Sequence, residues 1–222
     1  MKTFVFGKSS TGLPIFAHQF SLPRAPHVLV LGGVHGDEPE GVIAAQLILE
    51  QLLTHQLPLA FTVVPESNPD GILRKTRQNS QGVDLNRNLP TKNWSAEAPM
   101  GIRYFPGKAA NSEPETQALV QYLDQNQPQL ILSYHSYFPL VNPTGTCQKV
   151  AKILAEHADY KVVEDMGYPH PGCLGTFAGT ERNIPTITFE VERGLSFAKI
   201  SDVVVPGFLK AIEHISKNKK VE

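Results

Sequence analysis

Hydrophobic positions in this chain follow two rhythms. Short continuous runs, at His27 to Leu31, Ala60 to Val64, Leu130 to Tyr134 and Thr186 to Phe189, are rich in leucine and β-branched residues. They predict short buried strands. Longer segments repeat at helical spacing. From Pro39 to about Thr54, apolar residues recur at Val42, Ile43, Leu47, Leu49, Leu52 and Leu53. Helices are also predicted from Cys147 to His157, from Thr176 to Arg182, and from about Phe197 to Ser216, with Pro206-Gly207 as a point of fracture. Ser112-Glu113-Pro114-Glu115 has the order of a capping box with proline in the first turn, so a helix from there to about Gln125 follows, capped by Ser112. Phe4 to Phe6 and Pro14 to Phe20 flank Ser9-Ser10-Thr11-Gly12 as a hairpin. Lys161 to Val163 reads as a further short strand. Asn68-Pro69-Asp70-Gly71 is a turn signal. The stretch from Ile72 to Asn111 is long, polar and without period, which in a compact protein marks a functional loop.

Strands alternate with helices, and neither a repeat nor a shift in composition divides the chain. The expectation is an α/β fold occupying residues 1–222 as a single domain. It should have three layers (α/β/α) around a mixed, mainly parallel central sheet. A chain of 222 residues can fill such a core without disulfide or metal staples.

Charge adds mostly exclusions. The 20 basic and 21 acidic residues nearly balance, and no basic run marks a nucleic-acid or anionic-membrane surface. No apolar stretch reaches the length of a membrane span. The amino-terminal Met1 to Gly7 meets a glycine too early for a secretory signal. Cys147 and Cys173 lack metal-type spacing. They favour two reduced thiols in a cytoplasmic protein, with a single bridge as the alternative.

Candidate chemistry gathers at strand ends. His27 to Leu31 runs through Gly32-Gly33-Val34 into His35 and Glu38, at the carboxyl end of a strand, where open α/β sheets place their sites. His-x-x-Glu alone is a weak motif, but imidazole and carboxylate are both zinc ligands. His135 follows another predicted strand and Glu190 a third. Two histidines and one carboxylate leave a fourth zinc position open, as catalytic sites require. Glu190 is then a spare carboxylate, placed to move a proton between attacking water and leaving amine. The other histidines have no comparable setting.

The order His35-x-x-Glu38, Asn68-Pro69-Asp70-Gly71, Arg77, Asp84-Leu85-Asn86-Arg87-Asn88, Ser133-Tyr134-His135-Ser136 and Thr188-Phe189-Glu190 resembles the zinc metallocarboxypeptidases of the carboxypeptidase A superfamily. The resemblance covers the chain from about Leu29 to Glu190. It implies a zinc carboxypeptidase-like fold and one zinc ion on His35, Glu38 and His135. Glu190 would be general base and acid, and Asn86 and Arg87 would bind the substrate's free carboxylate, a task suited to a planar guanidinium. An arginine upstream would stabilise the oxyanion. Arg74 and Arg77 are both candidates, and Arg77 is preferred because the shorter bacterial relatives keep the arginine nearer Gly82-Val83-Asp84. Asp84 would either orient a ligating imidazole or cap a turn. Tyr168, 22 residues before Glu190, has the position of a substrate-binding tyrosine.

Within the superfamily, three stretches look like the bacterial murein peptide amidases. They are Gly82 to Pro90 with Asn93-Trp94, Ser112 to Leu119, and Gly167-Tyr168-Pro169-His170-Pro171-Gly172. Such enzymes cut the γ-D-glutamyl–meso-diaminopimelate amide of murein tripeptide during cytoplasmic recycling of wall fragments. The implied partner is thus a small peptide with a free carboxylate, with no nucleic acid and no membrane. The polar loop from Lys92 to Asn111, with Arg103, Lys108 and Glu97, is expected to meet the second zwitterionic centre of diaminopimelate. Tyr134-His135-Ser136-Tyr137 and Thr188-Phe189-Glu190-Val191 look more like the carboxypeptidases. The alternatives are therefore a general metallocarboxypeptidase, an N-acyl amino acid deacylase of the succinylglutamate desuccinylase or aspartoacylase type, and an inactive ligand-binding module. An intact ligand set with Glu190 speaks against the last. The deacylases usually carry an extra carboxyl-terminal β domain, for which the residues after Glu190 leave no room.

Overall fold

A computed structural model describes residues 1–97, 101–219 and 221–222. The hairpin is present as β1 (Lys2–Lys8) and β2 (Pro14–Phe20). It is followed by β3 (His27–Leu31), α1 (Pro39–Thr54), β4 (Ala60–Val64) and α2 (Pro69–Arg74). After the irregular stretch come α3 (Pro114–Asn126), β5 (Leu130–Tyr137), β6 (Leu140–Thr144), α4 (Gln148–Ala158) and β7 (Lys161–Val162). A π-helical turn (Gly175–Thr180), β8 (Thr186–Glu192) and α5 (Phe197–Asn218) complete the order.

The strands form one eight-stranded sheet in the order β1-β2-β4-β3-β5-β8-β6-β7. Its centre, β4-β3-β5-β8, is parallel, and the edges add antiparallel pairs. This is the mixed α/β sheet expected. Alternation along the strands explains the layers. Val28 and Val30 of β3, with Leu130, Leu132 and Tyr134 of β5, face a core covered by α1, α4 and α5. Leu29 and Leu31, with Ile131, face the opposite core, which is closed by α3 and the π-helical turn. Strands buried on both faces read as continuous apolar runs, which is why the sequence marks them so clearly.

Several elements differ from expectation, each for a local reason. Asn68-Pro69 does not make a reverse turn. Asn68 caps α2, its Oδ1 accepting from Gly71 N at 2.9 Å, with proline at the first helical position. Ser112 does not cap α3; Glu113 holds that position without a side-chain cap, and Glu115 turns away to accept from Ser10. The helix predicted at Thr176 to Arg182 is the wider π turn. Pro206 lies inside an uninterrupted α5. β6 falls in a stretch the pattern left unassigned, because Asn142 and Pro143 interrupt its apolar positions. β5 extends past Tyr134 to Tyr137 and β8 past Phe189 to Glu192, so His135 and Glu190 stand inside strands, paired with each other in register. Cys147 and Cys173 are both free thiols and both buried. No helix among the described residues is long and apolar enough to cross a membrane.

Candidate metal centre

The carboxyl ends of β3 and β5, together with the start of α1, bring His35, Glu38 and His135 into one buried cluster. Gly36 makes this approach possible. A Cβ there would stand 1.9 Å from the backbone carbon of Gly71, so only glycine lets the ligand loop press against α2. Gly41 does the same one turn into α1, where a Cβ would lie 2.5 Å from the Tyr134 carbonyl.

Three donor atoms converge. His35 Nδ1 lies 2.9 Å from Glu38 Oε1, and His135 Nδ1 lies 3.0 Å from Glu38 Oε2. The two Nδ1 atoms are themselves 3.1 Å apart. Donors on a tetrahedral ion at the usual bond lengths sit about 3.4 Å from each other, so the cluster matches zinc geometry closely. The outer ring nitrogens are already occupied. His35 Nε2 faces Asp84 Oδ1 at 3.1 Å and His135 Nε2 faces Ser133 Oγ at 3.0 Å. The Asp84 carboxylate only accepts, so it favours the His35 tautomer protonated at Nε2, and the Ser133 hydroxyl can accept from His135 Nε2 likewise, which leaves both Nδ1 lone pairs to face one cation. The residues present therefore fit zinc.

A ring of charge supports the cluster. Asp84 is fully buried and accepts from Arg77 Nε at 2.8 Å, from His35, and from Asn86 N at 2.9 Å. It orients the imidazole and caps the turn Leu85–Arg87, so both expected readings of Asp84 hold at once. Burial opposes its charge, but His35 and Arg77 beside it hold its carboxyl far below the usual range. Glu38 behaves alike: burial is outweighed by the two histidine rings, and its pKa falls well below the ordinary value. Arg77 also donates to Glu38 Oε1 at 3.2 Å. Burial works against the Arg77 charge, yet Asp84 and Glu38 raise its pKa. Glu190 goes the other way. Burial pushes its carboxyl up to about 7, with His135 opposing the rise.

These groups line a cavity of about 450 Å³ that opens at the carboxyl ends of β5 and β8. Arg77, Asn86, Arg87, Tyr168 and Glu190 all line it together with the three ligands. Arg74 does not; it turns outward and donates to the Ser80 carbonyl. Asn86 Oδ1 accepts from Leu174 N at 2.8 Å, which ties the turn to the wall made by residues 173–175. The guanidinium of Arg87 donates to the Asn86 carbonyl and lies over the Tyr104 ring at 5.6 Å, and no carboxylate pairs with it among the described residues. Of Arg103, Lys108 and Glu97, only Arg103 reaches the cavity, where Asp37 holds it at 2.6 Å. Sequence reasoning missed Tyr104, which stacks under both Arg77 and Arg87. A lone tyrosine in a polar stretch was the available signal. It also missed Asn142, Thr144 and Arg193 on the cavity wall, the first two because β6 itself was not recognised.

Comparison with known proteins supplies the remaining step. A family profile described as zinc carboxypeptidase matches residues 1–168. Murein peptide amidase A of Vibrio campbellii is 30% identical over 196 residues, spanning 84% of this chain and 77% of its own. The protein of the same name from Escherichia coli is 31% identical over 201 residues, 83% of this chain and 79% of its own. The crystal structure of the murein-tripeptide amidase from Escherichia coli O157 superposes with a TM-score of 0.77 at 28% identity, covering 98% of this chain and 92% of that one. Carboxypeptidase A from Helicoverpa armigera, at 18% identity, shares the fold with a TM-score of 0.77 over 99% of this chain and 68% of its own. With the ligand triad intact, the chain belongs to the zinc carboxypeptidase family and is a metallopeptidase whose one zinc ion is bound by His35, Glu38 and His135.

Proposed function

We propose that this protein is a murein tripeptide amidase, a single catalytic domain hydrolysing the γ-D-glutamyl–meso-diaminopimelate bond in cytoplasmic recycling of wall peptides. The observation that carries this reading is the unpaired Arg87 guanidinium, lining the cavity beside Asn86. A free carboxylate on the leaving residue meets its fork there. Likeness to the two murein peptide amidases along more than four-fifths of the chain supports the choice of substrate.

Zinc, when bound, polarises the scissile carbonyl and makes water a competent nucleophile at neutral pH. The chain's own groups do the rest. Glu190 takes a proton from the attacking water and returns it to the departing amine. Burial raises its pKa above that of an ordinary carboxylate, toward the range that suits a group that must both accept and donate, and a zinc ion beside it works against that rise. Arg77, locked by Asp84 and Glu38, holds a fixed positive charge toward the developing oxyanion without having to reorganise. Arg87 and Asn86 bind the carboxylate of the leaving diaminopimelate. Tyr168, at the mouth of the cavity, covers the bound peptide.

Purified protein given L-Ala-γ-D-Glu-meso-diaminopimelate should release free diaminopimelate. Release should stop on chelation and return with zinc. Zinc bound at one per chain without any release from this peptide would reject the substrate and leave the hydrolase to be tested on ordinary carboxyl-terminal peptides and N-acyl amino acids.

A further inference from the structure

Two stretches of the cavity wall carry different cations. One is the Asn86–Arg87 stretch, tied to the segment 173–175. The other lies past His135 along β5, where Ser136 and Tyr137 form the wall together with Arg193, just after β8. Arg193 is held in place from several sides. Its Nη1 donates to Ser136 Oγ at 3.1 Å and lies 3.9 Å from Glu40 Oε2. Its backbone N–H donates to the Tyr137 carbonyl at 3.2 Å. Glu40 has no part in the chemistry above, yet it is a carboxylate only 5% exposed, and such a group needs compensation. It accepts from Ser136 Oγ at 2.6 Å and from Gly194 N at 2.8 Å. The result is a buried anchor behind an arginine whose own side chain is 41% exposed. Arg77 and Arg103 are bound by carboxylates at 2.8 and 2.6 Å. Arg193 stands at the looser distance and keeps donors free for a ligand.

We propose that Arg193 is a specificity-determining residue that binds a carboxylate on the acyl side of the scissile bond, with Glu40 and Ser136 as its positioning residues. The inference rests on the murein tripeptide reading. In a γ-linked glutamyl residue the side-chain carboxyl forms the scissile amide, so the α-carboxylate stays free, a short carbon spacer away from the reacting carbonyl. An ordinary α-peptide bond presents no charge there. Arg87 thus reads the leaving residue and Arg193, held by Ser136 next to the ligand His135, the acyl residue. Selection of γ-linked over α-linked substrates follows from the second contact.

The test compares the tripeptide with its analogue in which the glutamyl α-carboxylate is a carboxamide. A plain N-acetyl dipeptide ending in diaminopimelate serves as a third substrate. Loss of a charge-assisted hydrogen bond to an arginine corresponds to a factor of about ten to a hundred. Wild-type protein should therefore prefer the carboxylate by about that factor in kcat/KM, mostly through KM. In Arg193→Gln the ratio should fall to near one, and Arg193→Lys should recover part of it. Glu40→Gln, which leaves Arg193 less firmly held, should lower the ratio less. Zinc content at one per chain in each variant checks folding. Equal turnover of carboxylate and carboxamide by wild-type protein, or an unchanged ratio in Arg193→Gln, overturns the role of Arg193 and leaves the murein reading standing. Cleavage of the acetyl dipeptide alone overturns both.

Discussion

The metal end of the cavity and its substrate-facing wall are built by different means. His35 lies on the short loop between β3 and α1, Glu38 at the start of α1 and His135 within β5; all are at most 6% exposed and have their remaining polar atoms engaged by Asp84, Ser133, Arg77 and Ser136. The wall is drawn largely from turns and connections: Asn86 and Arg87 from a single turn, Tyr104 from another, Tyr168 from the segment before β8, Arg193 from the residue after it. β5 and β6 add Ser136, Tyr137, Asn142 and Thr144. Tyr137, the last residue of β5, and Phe138 of the β5–β6 connection meet edge to face at 4.6 Å and are 60% and 69% exposed. Rigid elements thus hold the chemistry, where a displacement of an ångström is costly. Irregular segments hold the selectivity, where a family can vary without disturbing the core. Substitutions at the metal end should act on turnover and metal; those on the wall should act on the choice of substrate.

The sharpest way to break that division is Glu190→Gln. As the proposed proton carrier within β8, Glu190 belongs to the metal end although it ligates nothing. The variant should lose at least about a thousandfold in kcat, with zinc content and KM close to wild type, read by steady-state kinetics and metal analysis. A loss confined to KM would move Glu190 to the wall. Arg87→Gln should show the converse pattern. On the proposed reading its guanidinium meets the substrate carboxylate, so kcat/KM should fall by about ten to a hundredfold through KM. The zinc site should be unaltered. Asp84→Asn comes next. It touches no substrate but holds His35 and Arg77 together, and zinc affinity should drop by about ten to a hundredfold in a competition titration with a chelator. Unchanged affinity would show that the imidazole is oriented by packing alone.

The same division governs what the sequence reveals. β3, β4 and the centre of β5 were legible within a residue or two, because strands buried on both faces must be apolar throughout. The metal ligands were legible because His-x-x-Glu, weak alone, stands in order with Asp84-Leu85-Asn86-Arg87-Asn88, Ser133-Tyr134-His135-Ser136 and Thr188-Phe189-Glu190. The wall was only partly legible. Asn86 and Arg87 emerged through a motif, whereas Tyr104, Asn142 and Arg193 did not. Each is a common residue whose meaning depends on a partner far away in the chain: Arg193 acquires its place from Glu40 and Ser136, 153 and 57 positions earlier. Asn142 faces the cavity because β6 runs antiparallel to β8 and pairs it with Thr188. Glu113 and Glu115 carry the same lesson. Local order suggested a capping box, but Asn79 and Ser10, from distant segments, took both carboxylates.

The smallest expected effect concerns stability, and it examines whether Glu190 is as enclosed as the metal end requires. In the metal-free protein its carboxyl has a pKa of about 7, above the ordinary 4.5, chiefly through burial. An acid whose folded pKa is raised binds its proton more tightly when folded than when unfolded. As pH climbs from 4.5 to 7 the unfolded chain ionises first, and the folded state loses stability across that window. Above pH 7 the penalty is complete. Glutamine at this position carries no such penalty. Metal-free Glu190→Gln should therefore match metal-free wild type near pH 4.5 and exceed it at pH 8 by on the order of 1–3 kcal/mol, measured by urea unfolding with chelator present. Groups that do not interact with Glu190 drop out of the difference, whereas His135 and Glu38, which do interact with it, shape how steeply the gap opens with pH. Zinc places positive charge beside the carboxylate, so adding it should shrink the gap. Equal stability at pH 8 without metal would mean that Glu190 is solvated like the wall, and the line between the two regions would then run on the other side of β8.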